Sequence, residues 1–142
     1  MRSLSELEQS QWWSPEWIQQ LQSERLQRLI RYAYERVTYY RRMMDSRGIR
    51  PDDIRTATDL PKLPVLTKAD IRAHLNEMLA DGFPHRELLE GHTGGSTGTP
   101  LFFYSSRESR LSHGMARSLR AHEWAGLYPG DPFVRVIKRR LP

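Results

Sequence analysis

The stretch LLEGHTGGSTGTPLFFY, residues 88–104, decides the fold of this chain. Its centre, Thr93–Pro100, has glycine, serine or threonine at seven of its eight positions and closes on a proline. The flanks, Leu88–His92 and Leu101–Tyr104, are short segments with apolar residues and fit the length of β-strands. The sequence therefore predicts a strand, a loop of small residues and a second strand.

A loop of this composition suits the binding of phosphate groups. It offers backbone N–H groups free of side-chain crowding and four hydroxyls, and both donate hydrogen bonds to anions. A Walker-type loop also needs a lysine that reaches the outer phosphates, and no lysine lies between Lys68 and Lys138, so that class is excluded. The strand–loop–strand context favours the ATP loop of an adenylate-forming enzyme, where catalysis consists mainly of positioning and charge stabilisation.

Two other interpretations of the loop stay open, a plain linker and a hydrolase nucleophile turn. Residues 94–98 match the pattern G-x-S-x-G, with Ser96 as nucleophile and His113, His122 and Asp131 as partners. That turn requires a helix directly after the serine. Pro100 disfavours a helical conformation at Thr99, and the residues that follow have strand character, so the hydrolase is the weaker alternative.

Helices are predicted before the loop. Ser14, Pro15 and Glu16 form a helix start, and apolar residues then recur every three or four positions. These residues predict one buried face: Trp17, Ile18, Leu21, Leu26, Leu29, Ile30, Ala33, Tyr34 and Val37. A break near Val37 and a shorter helix through Met44 follow. Residues 51–66 predict an extended connector, and Thr67 with Asp70 predicts a capped helix whose apolar face is Ile71, Leu75, Met78 and Leu79.

The part after the loop predicts a helix, a turn and a strand. Ser105 and Glu108 indicate a helix start, and Gly126 a helix end. The inner side of this helix is predicted to carry Leu111, Met115, Leu119 and Trp124. Tyr128–Asp131 predicts a turn, which Asp131 would shape, and 133–137 predicts a buried strand.

Composition limits the class of protein. The 142 residues include no cysteine, so disulfides and thiolate metal sites are excluded, and a soluble, cytoplasmic protein is expected. No apolar run approaches the roughly 18 residues of a membrane span, and the first residues lack the apolar stretch of a secretory signal. The net charge is +5, but the arginines are dispersed among acids, which indicates a solvated surface rather than a nucleic-acid site. The five histidines have no metal-ligand spacing, so no metal site is predicted from the chain's own residues.

Three segments in order resemble a known family. His92–Pro100 resembles the T-S/G-G-S/T-T-G-x-P signature of the adenylate-forming (acyl-CoA synthetase) superfamily. Asp59–Arg72 is similar to the L-x-x-L-P-V-L-T-K-x-D-I-R segment of its phenylacetate–CoA ligase and CapK-like branch, and Trp124–Asp131 to the W-x-G-x-x-x-G-D segment after the loop. The tryptophan- and tyrosine-rich N-terminal helix also fits that branch.

The resemblance implies ATP-dependent activation of a small-molecule carboxylate to an acyl-adenylate, often followed by transfer to CoA. ATP, Mg²⁺ and CoA are then the implied cofactors, and the final acceptor can differ in the capsule-related members. The implied ATP-binding residues are Thr93, Gly94, Gly95, Ser96, Thr97, Gly98, Thr99 and Pro100. No catalytic residue is assigned. The two neighbours of interest are His92, which contacts substrate or packs at a strand end, and Lys68, which we interpret as a solvated first-turn residue.

The chain also departs from the family pattern. Many members carry a lysine after the loop proline, where this chain has Leu101. The adenine-binding motif, ribose-binding aspartate, Mg²⁺-linked glutamate and catalytic lysine of the family have no counterpart here. We therefore expect the N-terminal part of an incomplete α/β adenylating domain, with a helical lead-in at 1–50 and the start of the ATP-binding subdomain at 51–142. Alone it is expected to be inactive. The alternative is a non-catalytic nucleotide-binding or scaffold remnant, and a homodimer is compatible with the sequence.

Overall fold

The computed structural model describes residues 2–93, 100–110, 114–132 and 134. Within these ranges the chain forms five α-helices and a small sheet of two antiparallel strands, which confirms the predicted α/β class. The helices are α1 Arg2–Ser10, α2 Pro15–Arg36, α3 Thr38–Asp45, α4 Lys68–His74 and α5 Gly114–Trp124, and the strands are β1 Leu88–His92 and β2 Phe102–Ser106.

Helix α2 begins and ends where the sequence predicts. The Ser14 hydroxyl accepts a hydrogen bond from the Trp17 N–H at 3.4 Å, and Pro15 occupies the first turn. Val37 leaves the helical region (φ −123°, ψ 109°), ends α2 and starts α3. The Arg41 guanidinium turns back and donates to the carbonyls of Tyr34 at 3.1 Å and Glu35 at 2.8 Å, so it caps the negative end of α2.

A small core joins the helical segment to the connector. Met44 and Ile54 are 1% and 0% exposed and pack with Ile30 of α2. The division of the chain at residue 50 stays a prediction, and this cluster takes side chains from both sides of it. The predicted buried face of α2 is wrong at Trp17 and Leu29, which are exposed because no described element packs over them.

The connector is not extended as predicted. Two 3₁₀ turns, Pro51–Asp53 and Ala57–Lys62, fold it against α2. Asp59 stabilises the second turn because its carboxylate accepts from the N–H groups of Arg55 and Thr56, the Thr56 hydroxyl and the Lys62 ammonium. The hydrogen bond from Lys62 and those from the backbone hold the pKa of Asp59 well below its usual range.

Helix α4 has the predicted cap. The Thr67 hydroxyl accepts from the Asp70 N–H at 3.2 Å, and the Asp70 carboxylate accepts from the Thr67 N–H at 2.9 Å. The Thr67 hydroxyl also donates to the Asp70 carboxylate at 2.6 Å, and this hydrogen bond, together with the one from the Thr67 N–H, lowers the pKa of Asp70. The α-helix ends at His74, whose backbone (φ −123°, ψ 20°) leaves the helical region, and a 3₁₀ turn at Leu75–Met78 follows. The Glu77 carboxylate contacts Arg42 at 2.6 Å and His74 at 3.1 Å, which ties this turn to α3.

Helix α1, which was not predicted from the sequence, packs against α5. The indole N–H of Trp124 donates to Gln11 Oε1 at 2.8 Å, and the Arg120 guanidinium lies 4.8 Å from the centre of the Trp124 ring. Met115 and Trp124, predicted on the inner side of α5, are exposed, because Ala116 is the residue that faces the neighbouring helices. Leu111 lies outside the described residues.

Three predictions concern the residues on either side of α5: a helix start at Ser105, a helix end at Gly126 and a final strand. The predicted helix start at Ser105 is wrong by one residue: the hydroxyl that accepts from the Ser109 N–H, at 3.1 Å, is that of Ser106, the last residue of β2. Gly126 (φ 76°) ends α5, and the Leu127 N–H donates to the His122 carbonyl, as in a Schellman motif. Of the predicted final strand only Val134 is described, and it is exposed and not in a strand. None of the helices in the described ranges has the length and apolarity to cross a membrane.

Candidate functional site

The predicted strand–loop–strand unit is a β-hairpin. β1 and β2 pair antiparallel, with Leu88 opposite Ser106 and His92 opposite Phe102. The second strand begins one residue later than predicted and ends two residues later. The hairpin therefore places the two ends of the glycine-rich loop side by side at its tip.

The base of the loop is held by a pair of hydrogen bonds. The Thr93 N–H donates to the Leu101 carbonyl at 3.0 Å. In return the Leu101 N–H donates to the Thr93 side-chain hydroxyl at 3.1 Å, not to its carbonyl. Residues 93 and 101 thus continue the strand register by one more pair. Pro100 comes next and has no N–H to donate.

His92 lies at the end of β1, directly beside this pair. Its Nδ1 is 3.3 Å from the Thr93 carbonyl, which can only accept, so Nδ1 carries the proton in this contact. The imidazole also packs edge-on against Phe102, with the ring centres 6.1 Å apart. Both interpretations of His92 remain compatible with this geometry, because it packs at a strand end and is exposed beside the loop.

The structure places the two ends of the predicted ATP site. Thr93 and Pro100 belong to the described residues, whereas Gly94, Gly95, Ser96, Thr97, Gly98 and Thr99 lie outside them. Lys68 is the first residue of α4, as predicted, and its side chain is exposed.

The surroundings of the loop do not match a hydrolase nucleophile turn. The next regular element after the loop is the strand β2, where the hydrolase motif requires a helix. Asp131, one proposed partner, accepts from the Tyr128 N–H at 2.7 Å and so shapes its own turn, as predicted. His122 lies near the end of α5, while Ser96 and His113 lie outside the described residues.

A cavity lies away from the hairpin, and the described part of the chain contains no cluster of metal ligands. Among the described residues, no group of three or more histidine, aspartate or glutamate side chains could hold a metal ion. A cavity of about 480 Å³ lies where α1, α2 and α5 meet. Its polar lining includes Glu6 and Arg25, whose charged groups are 3.7 Å apart. It offers a pocket separate from the loop.

Leu101 is the residue that sequence reasoning undervalued. Apart from its place at the start of the second predicted strand, it was noted only as the replacement of a lysine, yet its backbone N–H and carbonyl both bind Thr93. The register of a hairpin could have shown this from the sequence. Residues 93 and 101 each lie four positions from residue 97, so the strands that flank the loop would bring them opposite each other.

Comparisons with known proteins point to one family. No protein-family model matches the chain. It is 39% identical over 116 residues to a phenylacetate-coenzyme A ligase of Thermus thermophilus, covering 80% of this chain and 25% of that protein. The corresponding ligase of Escherichia coli is 38% identical over 119 residues, with 80% of this chain and 26% of that protein covered. Protein CapK of Staphylococcus aureus is 26% identical over 122 residues, at 86% and 26% coverage.

The fold of the chain is also similar to part of a solved CoA ligase structure. The chain superimposes on 2-hydroxyisobutyryl-CoA ligase, crystallised with 2-HIB-AMP and CoA in its thioesterification state, with a TM-score of 0.65 and 25% identity. The match covers 83% of this chain and 26% of that one. The chain thus spans about a quarter of the length of the curated relatives that it matches.

Proposed function

We propose that this chain, which belongs to the adenylate-forming superfamily and resembles its phenylacetate–CoA ligase and CapK proteins, contributes the ATP phosphate loop to a carboxylate-activating reaction. The observation that carries the proposal is the hairpin, whose tip holds Thr93–Pro100 between two paired strands. Because the chain spans only about a quarter of its relatives, activity, substrate and acceptor all belong to this proposal.

In the proposed reaction a carboxylate oxygen attacks the α-phosphorus of ATP. The new bond is the acyl–phosphate O–P bond, the bond from the α-phosphorus to the bridging oxygen breaks, and pyrophosphate leaves. The N–H and hydroxyl groups of the loop between Thr93 and Pro100 would donate hydrogen bonds to the β- and γ-phosphates and stabilise the charge that develops on the leaving group. Transfer of the acyl group to CoA would follow.

The hairpin fits the phosphates better than it fits the metal. Its small residues provide N–H and hydroxyl donors, while the described residues offer no cluster of carboxylates or histidines for Mg²⁺. Magnesium binds few protein ligands and usually enters such sites with the nucleotide phosphates. The residues here would therefore hold the phosphates, and the ion would neutralise their charge.

The experiment is ATP binding by the 142-residue chain, measured by titration calorimetry with two aspartate variants. Gly95→Asp places a carboxylate in the loop and should weaken binding about tenfold or more, because it repels the phosphates. Gly114→Asp is the matched control at the start of α5, where an added Cβ meets nothing within 4 Å and an acid suits the helix. Equal affinities of both variants and the unaltered chain would contradict a phosphate site in this loop.

Catalysis is tested separately by carboxylate-dependent ATP–pyrophosphate exchange. The 142-residue chain is expected to show little or none, and clear exchange would overturn that expectation. The assay is repeated on the product captured from the source cells, whose intact mass is measured first. Localisation in the cytoplasm remains a prediction of the cysteine-free sequence.

A non-catalytic binding or scaffold protein is the second candidate. It is supported by the large apolar side chains that stay exposed in the described part, among them Trp12, Trp17 and Trp124. Nucleotide binding without exchange in the native product would favour it. Labelling of Ser96 by a serine-hydrolase probe would instead revive the weaker hydrolase alternative.

A further inference from the structure

The strand ladder of the hairpin ends in an unusual way at Thr93. At each hydrogen-bonded position of a regular antiparallel ladder, the two opposite residues exchange both backbone N–H···O=C bonds. Thr93 and Leu101 make the first of these, from the Thr93 N–H to the Leu101 carbonyl at 3.0 Å. The second bond would run from the Leu101 N–H to the Thr93 carbonyl. The Leu101 N–H donates instead to the Thr93 side-chain hydroxyl, at 3.1 Å.

This replacement has a consequence for the Thr93 carbonyl. The carbonyl is released from the ladder and lies 3.3 Å from Nδ1 of His92. The N–H groups of Thr93 and Leu101 are nevertheless both bonded, so the chain leaves the ladder without an unpaired donor. Pro100 has no N–H, so it cannot offer the ladder a further bond on the other strand.

We propose that Thr93 is a positioning residue, whose hydroxyl holds the Leu101 amide and fixes the separation of the two chain ends from which residues 94–99 depart. This role uses the hydroxyl oxygen as an acceptor, whereas a direct phosphate ligand would use the O–H as a donor. The consequence for ATP rests on the proposed function, whereas the hydrogen bond itself does not.

Two substitutions separate the hydroxyl from the shape of the side chain. Thr93→Val keeps the branched shape and removes the acceptor, and Thr93→Ser keeps the acceptor. Thr38→Val, at an exposed threonine on α3, is the control for the same chemical change elsewhere. Amide hydrogen exchange of Leu101, followed by NMR in the nucleotide-free protein, reports the bond directly.

Exchange of the Leu101 amide should accelerate about fivefold in Thr93→Val, the effect of one typical net hydrogen bond. It should be unchanged in Thr93→Ser and Thr38→Val. ATP affinity should fall by about the same factor in Thr93→Val and stay within about twofold in the other variants. Unchanged exchange in Thr93→Val would overturn the proposal, and so would accelerated exchange with undiminished ATP affinity.

A second variant removes the donor of this hydrogen bond, the Leu101 N–H, and leaves the Thr93 hydroxyl in place. Its result does not depend on whether Thr93→Val folds. Replacing Leu101 by its α-hydroxy acid, through semisynthesis, turns the amide into an ester without an N–H. It should weaken ATP binding about as much as Thr93→Val, and the combined variant should lose no more than either alone. Fully additive losses would overturn the proposal. If the unaltered chain binds no ATP while its Leu101 amide is protected by Thr93, the hydrogen bond stands and the proposed function falls.

Discussion

The ring of Phe103 lies against the backbone of Gly91 on the opposite strand of the hairpin. A Cβ built on Gly91 would lie 2.6 Å and 2.7 Å from two carbons of that ring, closer than atoms can approach. The two residues face each other in the register of β1 and β2. A side chain at 91 would therefore displace the aromatic ring across from it, two residues before the loop.

This relationship predicts opposite effects of one substitution in two backgrounds. Gly91→Ala should destabilise the protein by about 1 kcal/mol, at the low end of overpacking costs, because Phe103 is 46% exposed and can turn towards solvent. In a Phe103→Ala background the same change should be neutral or stabilising by up to about 1 kcal/mol, since alanine loses less backbone entropy than glycine. Urea unfolding of the four proteins measures this. Equal destabilisation in both backgrounds would refute the contact.

The core around Ile54 predicts a large effect of truncation. Ile54 is 0% exposed and packs with Met44 and Ile30, so Ile54→Ala should cost about 2–5 kcal/mol. Val65→Ala is the control, because Val65 is 88% exposed and its truncation should change the free energy of unfolding by less than about 0.5 kcal/mol. The measurement is urea unfolding followed by circular dichroism. A cost below that of the control would show that the connector does not pack on α2 and α3.

The low pKa of Asp59 predicts the sign of a pH effect. Because the folded pKa lies below the unfolded value of about 3.9, the carboxylate stabilises the fold above that pH, and this stability is lost as the pH falls towards the folded pKa. Asp59→Asn should therefore lower stability at pH 7 and flatten its decline below about pH 4. Glu35→Gln, which makes the change from acid to amide at an exposed position on α2, is the matched control. Identical pH profiles for Asp59→Asn and the unaltered chain would contradict this account.

The hydrogen bond between Trp124 and Gln11 predicts how α1 is held. Trp124→Phe keeps a ring beneath Arg120 but removes the indole N–H, so the backbone amides of α1 should exchange about fivefold faster. Trp12→Phe is the matched control, since that indole is exposed and next to the same glutamine. Hydrogen exchange with mass spectrometry reports the α1 peptides. Equal exchange in both variants would show that the contact does not hold α1.

Local signals explain what could be predicted. The cap of Ser14 and Pro15, the box of Thr67 and Asp70, and the Gly126 stop each depend on residues within a few positions of one another, so the sequence alone indicates them. The same is true of the hairpin, whose strands are separated only by the loop. The family resemblance depended on the same kind of evidence, because its motifs are short and continuous.

Predictions that needed distant partners failed. The connector was expected to be extended, but Ile54 packs on α2 and α3 and brings it against them. The hydrogen bonds of Asp59 to its near neighbours are a local signal for the second 3₁₀ turn that was missed. Trp17 and Trp124 carry apolar surface that periodicity assigns to a core, yet whether a face is buried depends on what packs against it.

The sequence by itself determined the caps of α2 and α4, the hairpin with its loop of small residues, and the resemblance to adenylate-forming ligases. Tertiary structure alone decided that α1 docks on α5 through Gln11 and Trp124, and that Met44 and Ile54 meet in one core. It also decided that the Thr93 hydroxyl, not its carbonyl, receives the Leu101 amide. The physical reason is that caps and turns satisfy backbone groups within a few residues, whereas burial and cross-strand bonds depend on partners that only the folded chain brings together.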